Sequence, residues 1–504
     1  MKPRFLFLLA LFAIVLGTVA FGHGTTLAVT PSRQEPPLRL SEPTDVIIAD
    51  LESYIPDYMQ DKNIPGVAIA LIRDGEIVWT EGFGVANAIT RKPVTPETPF
   101  EVASNSKVVT AYIALRLVDQ GQLSLDEPLN AYLPEPWLPP SEYADKEHPR
   151  DTITLRHVLS HSSGLGKIGR ESLFAPGRGY YYSASGLHYL QAVIEQVTGQ
   201  SLEDIAQEMV FVPLGMSSSS SVNPTEITPR TANGHVRAFV PALLFTIPFV
   251  ASLVIVGLLG LSILRIRTGQ WRPTRWMVIG TCAVAFVLSL LPAFVLLGEI
   301  GWLEFAWLIA LCGLILAIAF ALAFFAGRVI ILRLSPERPG KLTALTIVLS
   351  VLIVVVLACS QAKSNLPVPK WPATHADAAG SVRATVGDMA AFLIELSNPR
   401  YLSAEMATQL QTPQVRLSND LSWGLGPGIQ HSQQGDALWQ WGQHIDFQSV
   451  MMIYPEHGFG VVVCTNNDLL NPDVAIEIAH RALGGTIGPV RRAIHLEFNY
   501  SEGD

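Results

Sequence analysis

The sequence has little charge, and its charge is not gathered into basic segments. Charged residues make up 15 % of the 504 residues, well below the share of about a quarter that is usual in soluble domains. Lys and Arg together number 34, against 43 Asp and Glu. A nucleic-acid-binding protein needs a concentrated basic face, so we expect no nucleic-acid partner.

Cysteine is also scarce, and one common hydrolase motif is missing. The four cysteines show neither the spacing of a disulfide framework nor that of a metal site; they are Cys282, Cys312, Cys359 and Cys464. We therefore expect free, buried thiols, no metal and no cofactor. No G-x-S-x-G sequence occurs, which disfavours an α/β-hydrolase.

The deficit of charge is concentrated in two places, and the first is the N-terminus. Residues 1–24 carry Lys2 and Arg4, followed by an apolar run to about Phe21. This pattern is typical of a secretory signal, with small residues that allow cleavage after Ala20. An uncleaved N-terminal anchor is the alternative. Either interpretation places the following residues outside the cytoplasm.

The second place is the middle of the chain, where four apolar runs follow one another. A helix needs about 20 apolar residues to cross a bilayer, and the runs are Ala238–Leu264, Trp276–Leu297, Phe305–Ala326 and Leu342–Cys359. Buried helices of a large soluble protein are the alternative, but runs with so little charge disfavour it. We expect an all-α transmembrane insertion of four helices over residues 236–362.

The loops between these runs predict the orientation. The first and third loops are basic; they contain Arg265, Arg267, Arg272, Arg275, Arg328, Arg333, Arg338 and Lys341. The middle loop contains Glu299 and Glu304 and no basic residue. Positive loops stay in the cytoplasm, so residues before 236 and after 362 share the extracytoplasmic side. We expect them to form one domain of a multi-pass protein of the cell membrane.

The remaining sequence predicts a mixture of strands and helices. Apolar alternation and turn residues predict strands over Val67–Arg73, Glu76–Gly84, Trp423–Ile429, Ser449–Tyr454 and Gly458–Cys464. Helical spacing and glycine stops predict helices over Ser106–Gln120, Ser185–Thr198, Val382–Leu396 and Val474–Leu483. These elements occupy two segments, 45–235 and 372–484. The tail, 485–504, carries no readable pattern.

Ser104 and Lys107 stand three residues apart at the start of a predicted helix. This spacing puts both side chains on one face. A serine hydroxyl becomes a good nucleophile when a neighbouring base takes its proton. A lysine can act as that base when burial or nearby positive charge lowers its pKa. A second S-x-x-K pair, Ser360 and Lys363, precedes a Pro-rich linker and no helix, so we interpret it as chance.

The neighbouring motifs extend this pair into a family pattern. They are Ile64–Ala68, Thr98–Phe100, Ala103–Lys107, Ile153–Leu165, Pro176–Gly177, Tyr182–Ser183, Pro213–Met216, Ala379–Ser381 and Gly458–Val463. In this order they resemble the serine β-lactamase and penicillin-binding-protein superfamily, in its class C-like branch. The resemblance implies an α/β (α+β) sandwich, with an antiparallel sheet flanked by helices and a helical subdomain, here interrupted by the transmembrane insertion.

The resemblance also implies roles for individual residues. Ser104 would be acylated by the substrate, Lys107 would act as base or proton relay, and Tyr182 would shuttle a proton to the leaving group. The third motif of the family matches Gln440-Trp441-Gly442 on a strand that lines the site. The oxyanion hole would be formed by the backbone N–H groups of Ser104 and Gln443.

Two positions depart from the family pattern. Ala184 stands where the second motif has Asn, and Gln440 stands where the third motif has Lys or His. The first change removes a side chain that holds the lysine and a substrate amide, and the second removes a cation that binds a substrate carboxylate. Both disfavour β-lactams and D-Ala-D-Ala. An ester or amide without a free carboxylate fits better.

Several side chains near these motifs have two interpretations. Tyr182 is either catalytic or packing, with motif context favouring catalysis, and Trp441 is either a substrate wall or, more often for an aromatic residue, core. His157 and His161 are interpreted as structural. His444 either lines the site or is simply exposed. Asp446 stands where the family has Gly, and the sequence offers no physical account of it.

The sequence therefore predicts a membrane-bound, extracytoplasmic serine hydrolase. It would act through an acyl-enzyme on a small-molecule or peptide substrate, including one derived from the cell wall. A catalytically silent sensor coupled to the membrane helices is the alternative. A transporter is disfavoured because the apolar runs lack the ionisable residues that mark a transport path. Homo-oligomers formed through the membrane helices remain an open prediction.

Overall fold

The computed structural model describes residues 36–137, 152–167, 172–224, 227–237, 365–368, 370, 375–468, 471–486, 488–496 and 501–502. The predicted signal or anchor lies outside the described residues, as does the predicted transmembrane insertion from residue 238 onward. Across the ranges that the structure describes, no helix combines the length and apolar character needed to cross a membrane.

The centre of the fold is a nine-stranded antiparallel sheet with the order β3-β2-β1-β14-β13-β12-β11-β10-β9. Its strands are β1 (Gly66–Arg73), β2 (Glu76–Asn87), β3 (Lys92–Pro93), β9 (Val415–Ser418), β10 (Leu421–Trp423), β11 (Gly428–Gln430), β12 (Ala437–Gln443), β13 (Gln448–Tyr454) and β14 (Phe459–Thr465). Every residue of β13 and β14 is buried, because these Val- and Ile-rich strands are covered on both faces.

Shorter strands form pairs outside this sheet. They are β4 (Phe100–Glu101) with β8 (Arg383–Ala384), β5 (Gly179–Tyr180) with β15 (Ser501–Glu502), and β6 (His235–Arg237) with β7 (Asn365–Pro367). The β4–β8 pair joins the strand just before Ser104 to the segment after residue 375.

Helices cover both faces of the sheet. They are α1 (Thr44–Lys62), α2 (Ser106–Asp119), α3 (Leu155–Leu159), α4 (Ala184–Thr198), α5 (Leu202–Ala206), α6 (Val386–Ser397), α7 (Ala404–Gln411), α8 (Val474–Leu483) and α9 (Gly488–Leu496). Alternate residues of β1 enter two separate cores. Val67, Ile69 and Leu71 pack with α1 and α8, whereas Ala68 and Ala70 pack with α2 and α6. The mixed fold and antiparallel sheet that the sequence predicted are confirmed.

Strands from both sides of residues 238–364 share this sheet. β1 pairs with β14 from Val67↔Thr465 to Ile72↔Gly460. The ends of the intervening segment are also paired, since β6 and β7 align Arg237 with Asn365. The chain therefore leaves the domain and returns to it at adjacent points. The predicted insertion starts at residue 236, and the structure places Val236 and Arg237 in β6.

Two predicted elements need correction. The run Trp423–Ile429 was predicted as one strand, but it contains the end of β10 and the start of β11, because the chain reverses around Gly424 and Gly426, the latter with φ +121°. The helix predicted from Val382 begins at Val386. Thr385 caps it by accepting a hydrogen bond from the Asp388 N–H at 3.0 Å, and the preceding residues form β8.

Candidate active site

Ser104 lies in a single 3₁₀ turn, Ala103–Asn105, that runs directly into α2. Ala103 has φ +47°, a backbone conformation that costs energy for a residue with a side chain. The turn is fastened by Ser106, whose hydroxyl donates to the Ala103 carbonyl at 2.6 Å and accepts from the Val382 N–H at 3.0 Å. The nucleophile position is thus held by contacts on both sides, and its side chain remains partly exposed.

Lys107 lies one helical turn along the same face and is 6 % exposed. Its Nζ donates to Ser104 Oγ at 2.9 Å and to the carbonyl oxygen of Ala379 at 2.8 Å. The Ala379 carbonyl holds the lysine, a task that the side chain of Ala184 could not perform. The amine is therefore in hydrogen-bond reach of the hydroxyl whose proton it would take.

Tyr182 directly precedes α4, whose N-cap Ser183 accepts from the Gly186 N–H at 3.1 Å. Tyr182 is 2 % exposed, and its ring centroid lies 5.0 Å from Lys107 Nζ. The structure thus brings Ser104, Lys107 and Tyr182 together, as the sequence predicted.

An aromatic cluster holds the tyrosine ring in place. Its ring lies 4.4 Å from that of His161, 5.2 Å from that of Trp441 and 5.7 Å from that of Trp423, between centroids. Trp441 is 4 % exposed, so it packs against Tyr182 and forms part of the core. This geometry favours the packing interpretation of Trp441 over a substrate wall.

Gln440 is fully buried on β12 and points at the tyrosine. Its Nε2 donates to the Tyr182 hydroxyl at 2.8 Å and to the Trp441 carbonyl at 2.9 Å. The residue at the position of the family's cation is therefore neutral, and its amide nitrogen binds the Tyr182 hydroxyl while its Oε1 has no hydrogen-bond partner among the described residues.

Gly442 brings the end of β12 against the nucleophile. A Cβ at this position would lie 2.1 Å from the Val102 carbonyl oxygen, 2.5 Å from Ser449 Oγ and 3.0 Å from the Ser104 backbone nitrogen. Only glycine allows this approach. The end of β12 therefore lies beside the Ser104 backbone, and its last residue is Gln443, the second member of the predicted oxyanion hole.

A charged cluster next to this strand went unpredicted. His444 Nδ1 lies 3.0 Å from Glu101 Oε2, and Glu101 Oε1 accepts from Arg383 at 2.6 Å. Burial would raise the pKa of Glu101, but the hydrogen bond from His444 and the charge of Arg383 lower it to about 2. The same carboxylate raises the pKa of His444 against the effect of burial. The charge of Lys107 also acts on this pKa, so His444 lies near the catalytic lysine.

Asp446 follows on the same loop and is 9 % exposed. Burial, and then the nearby negative charge of Glu101, raise the pKa of its carboxyl to about 7. A Cβ at Gly234 would lie 2.0 Å from its Oδ2. Gly234, the residue just before β6, therefore packs directly against the Asp446 carboxyl. This contact could not be read from the sequence.

The two other histidines have local structural partners. His161 Nδ1 accepts from the Ser183 N–H at 3.2 Å, and burial lowers the pKa of His161 well below its usual value. His157 and Thr154 form a capping box at the start of α3. These contacts agree with the structural interpretation of both residues.

The described part of the chain contains no group of three or more His, Cys, Asp and Glu that could hold a metal ion. Cys464 is a free, buried thiol, and burial raises its pKa to about 12. The other three cysteines lie outside the described residues.

Fold and site together define a class of protein in which an S-x-x-K pair lies at the start of a helix beside an antiparallel sheet. The family model described as Beta-lactamase matches residues 51–285 and 331–486, and the chain belongs to the β-lactamase family of serine hydrolases. Esterase EstB of Burkholderia gladioli is 32 % identical over 203 residues, which cover 34 % of this chain and 50 % of the esterase. A D-aminopeptidase of Brucella anthropi is 28 % identical over 225 residues, which cover 39 % of this chain and 41 % of that protein. The chain thus spans half or less of the length of these relatives.

Solved structures share the fold. The octameric penicillin-binding protein homologue from Pyrococcus abyssi superposes with a TM-score of 0.52 at 18 % identity, covering 86 % of this chain and 76 % of that one. The D-alanine carboxypeptidase AmpC from Burkholderia cenocepacia gives a TM-score of 0.54 at 15 % identity, covering 87 % and 99 %. At these identities the likeness concerns the fold alone.

Proposed function

We propose that the protein hydrolyses an ester or amide through an acyl-enzyme formed on Ser104. The observation that carries the proposal is the 2.9 Å contact between Lys107 Nζ and Ser104 Oγ in a site where the lysine is 6 % exposed. A nucleophile and its base within hydrogen-bond reach, the base being held by a third group, are the signature of nucleophilic catalysis.

The reaction proceeds in two halves. Ser104 Oγ attacks the substrate carbonyl carbon while Lys107 takes the hydroxyl proton, and the negative charge that develops on the carbonyl oxygen is met by the N–H groups of Ser104 and Gln443. The bond to the alcohol or amine then breaks, and Tyr182 relays the proton to the leaving atom. Water attacks the acyl-serine, the protons pass back through the same groups, and the acid leaves.

The substrate class is an ester or amide, either a small molecule or a peptide, including a fragment of the cell wall. The esterase and the D-aminopeptidase among the relatives support this range. Gln440 and Ala184 replace the side chains that the family uses for β-lactams and D-Ala-D-Ala, so we place those substrates outside the range.

Labelling with a serine-directed fluorophosphonate, read by intact mass on detergent-purified protein, tests the proposal. We expect one adduct on the wild type and none on Ser104→Ala. Ser360→Ala, which removes the serine of the second S-x-x-K sequence, is the matched control and keeps the adduct. If the wild type forms no adduct while it still melts cooperatively, the hydrolase proposal fails and a silent binding module takes its place.

We further propose that residues 238–362 anchor the domain in the cell membrane with the site on the extracytoplasmic side. The charge pattern of the loops supports this proposal, and so does the pairing of Arg237 with Asn365, because an anchor of an even number of crossings returns the chain to its starting side. The full-length protein should remain in the membrane pellet after extraction with alkali. A variant in which a four-residue Gly/Ser linker replaces 238–364 should instead appear in the soluble fraction. Retention in the membrane pellet would contradict an anchor in this segment if residues 1–24 are also replaced with a cleavable secretion signal, because an uncleaved N-terminus would itself hold the variant in the membrane.

A further inference from the structure

Three residues in or just after β12 lie on the face of the strand that is turned toward Ser104. Successive side chains of a strand point to opposite faces, so Gln440, Gly442 and the residue after the strand, His444, lie on one side. Trp439 and Trp441 lie on the other side, in the core shared with α1 and α8. Of the three, Gln440 is bound to Tyr182 and Gly442 has no side chain.

His444 has one ring nitrogen occupied and the other available. Nδ1 contacts Glu101 at 3.0 Å, and among the described residues Nε2 has no hydrogen-bond partner. Nε2 lies 3.2 Å from the position that a Cβ on Gly380 would take. Gly380 follows Ala379, whose carbonyl binds Lys107. With 35 % of its side chain exposed, the imidazole is partly open to solvent while its Nε2 edge lies against Gly380, next to the residue that binds the catalytic lysine.

The surrounding charges favour the protonated form of this imidazole. Glu101 raises the pKa of His444 although burial lowers it, and Lys107 also acts to lower it. Arg383 pairs with the second oxygen of Glu101. A protonated imidazole whose Nδ1–H is taken by a carboxylate presents Nε2–H as a charged donor.

We propose that His444 determines specificity by binding a carboxylate of the substrate through Nε2–H. This inference rests on the proposed hydrolase function and narrows its substrate class to esters or amides that carry an acidic group. It supplies, four residues further along the chain, the cation that position 440 lacks. The sequence, judged on Gln440 alone, predicted a substrate without a free carboxylate, so the two views predict opposite preferences.

The test compares three p-nitrophenyl esters on the full-length, detergent-purified protein. The acyl groups are butyrate, which is neutral, hemiglutarate, which carries a carboxylate, and 4-(trimethylammonio)butyrate, which carries a cation. The readout is the ratio of kcat/KM for hemiglutarate to that for butyrate. We expect the wild type to favour hemiglutarate, and we expect His444→Gln to lower the ratio about tenfold, the effect of losing one charge-assisted hydrogen bond.

Two further variants separate charge from structure. His444→Lys keeps a cation and should restore most of the ratio. His431→Gln, the matched control, removes another imidazole that is bound to a carboxylate, that of Asp436 at 2.9 Å, and should leave the ratio at the wild-type value. Thermal melts of each variant report on folding.

The outcomes distinguish this inference from the function on which it rests. An equal ratio in wild type and His444→Gln overturns the inference, as does a wild-type preference for the cationic ester. In either case Ser104 would still take the fluorophosphonate label and the hydrolase function would stand. Absence of both labelling and ester hydrolysis would remove the two proposals together.

Discussion

The two sides of the active site come from two parts of the chain, and they differ in how closely they follow the family. Residues before 238 supply Ser104, Lys107 and Tyr182 in the family's spacing. Residues after 364 supply the facing strand, where Gln440 and Asp446 replace the family's usual residues. The groups that move protons are kept, whereas the family's cation is replaced by a neutral amide that binds Tyr182. The first side also has one departure, Ala184, but its nucleophile, lysine and tyrosine are all in place.

The largest expected effect comes from a substitution on the side of the site that keeps the family's motif residues. Lys107→Met keeps the length of the side chain and removes the amine that contacts Ser104, so hydrolysis and fluorophosphonate labelling should slow by about 10³-fold, within the range for loss of a general base. The rate of adduct formation measures this. Lys92→Met, which alters an exposed lysine bound to the Pro229 carbonyl, should label at the wild-type rate. Equal rates for both variants would contradict the role of Lys107.

The next effect concerns the contact between the two sides. Gly442→Ala forces a Cβ into the Val102 carbonyl and toward the Ser104 nitrogen, so we expect a loss of about 3 kcal/mol in unfolding free energy together with slower labelling. Gly387→Ala is the matched control. Its Cβ would meet only Thr385 Oγ1, at 3.8 Å, and alanine should stabilise the start of α6 by up to about 1 kcal/mol. Chemical denaturation of both variants should therefore give shifts of opposite sign.

The smallest expected effect concerns Asp446, which lies on the side that departs from the family pattern. The folded-state pKa of Asp446 is about 7 against an ordinary value of 3.8, so between these values the folded protein retains a proton that the unfolded chain releases. Stability is therefore lost as pH rises toward 7. Asp446→Asn escapes this loss and should gain at least about 1 kcal/mol relative to wild type between pH 5 and pH 8. A difference in melting that is the same at both pH values would contradict the buried, protonated carboxyl.

Local signals were enough to predict much of the fold. The turn at Asp74-Gly75 located β1 and β2, and α8 begins and ends at the predicted residues, Val474 and Leu483. The start of α6 was also readable, because Thr385 followed three residues later by Asp388 is a capping signal. Helix α1 was missed, since Pro56 lies inside it and a proline argues against a helix interior.

The site, like the fold, has one part that the local sequence predicts and another part that it does not. Ser104 lies in the turn just before α2 and Lys107 lies in the first turn of that helix, so their contact follows from spacing alone. The cluster of Glu101, Arg383 and His444 joins residues that are far apart in the chain, and each side chain by itself resembles an ordinary surface charge. Only the pairing of β4 with β8 and the approach of β12 bring them together. No local pattern encodes such a meeting.

The pairing of β1 with β14 also sets an order of events during synthesis. β1 and Ser104 are translated before the segment 238–364. β14, which pairs with β1, is translated only after that segment. Until then the edge of β1 that will receive β14 is unpaired, and such an edge is a site for aggregation. A nascent chain in this state holds Ser104 without Gly442 beside it. The arrangement of Ser104 beside Gly442 is therefore completed only after the intervening segment has been translated, and the edge of β1 stays open to other pairing during that whole interval.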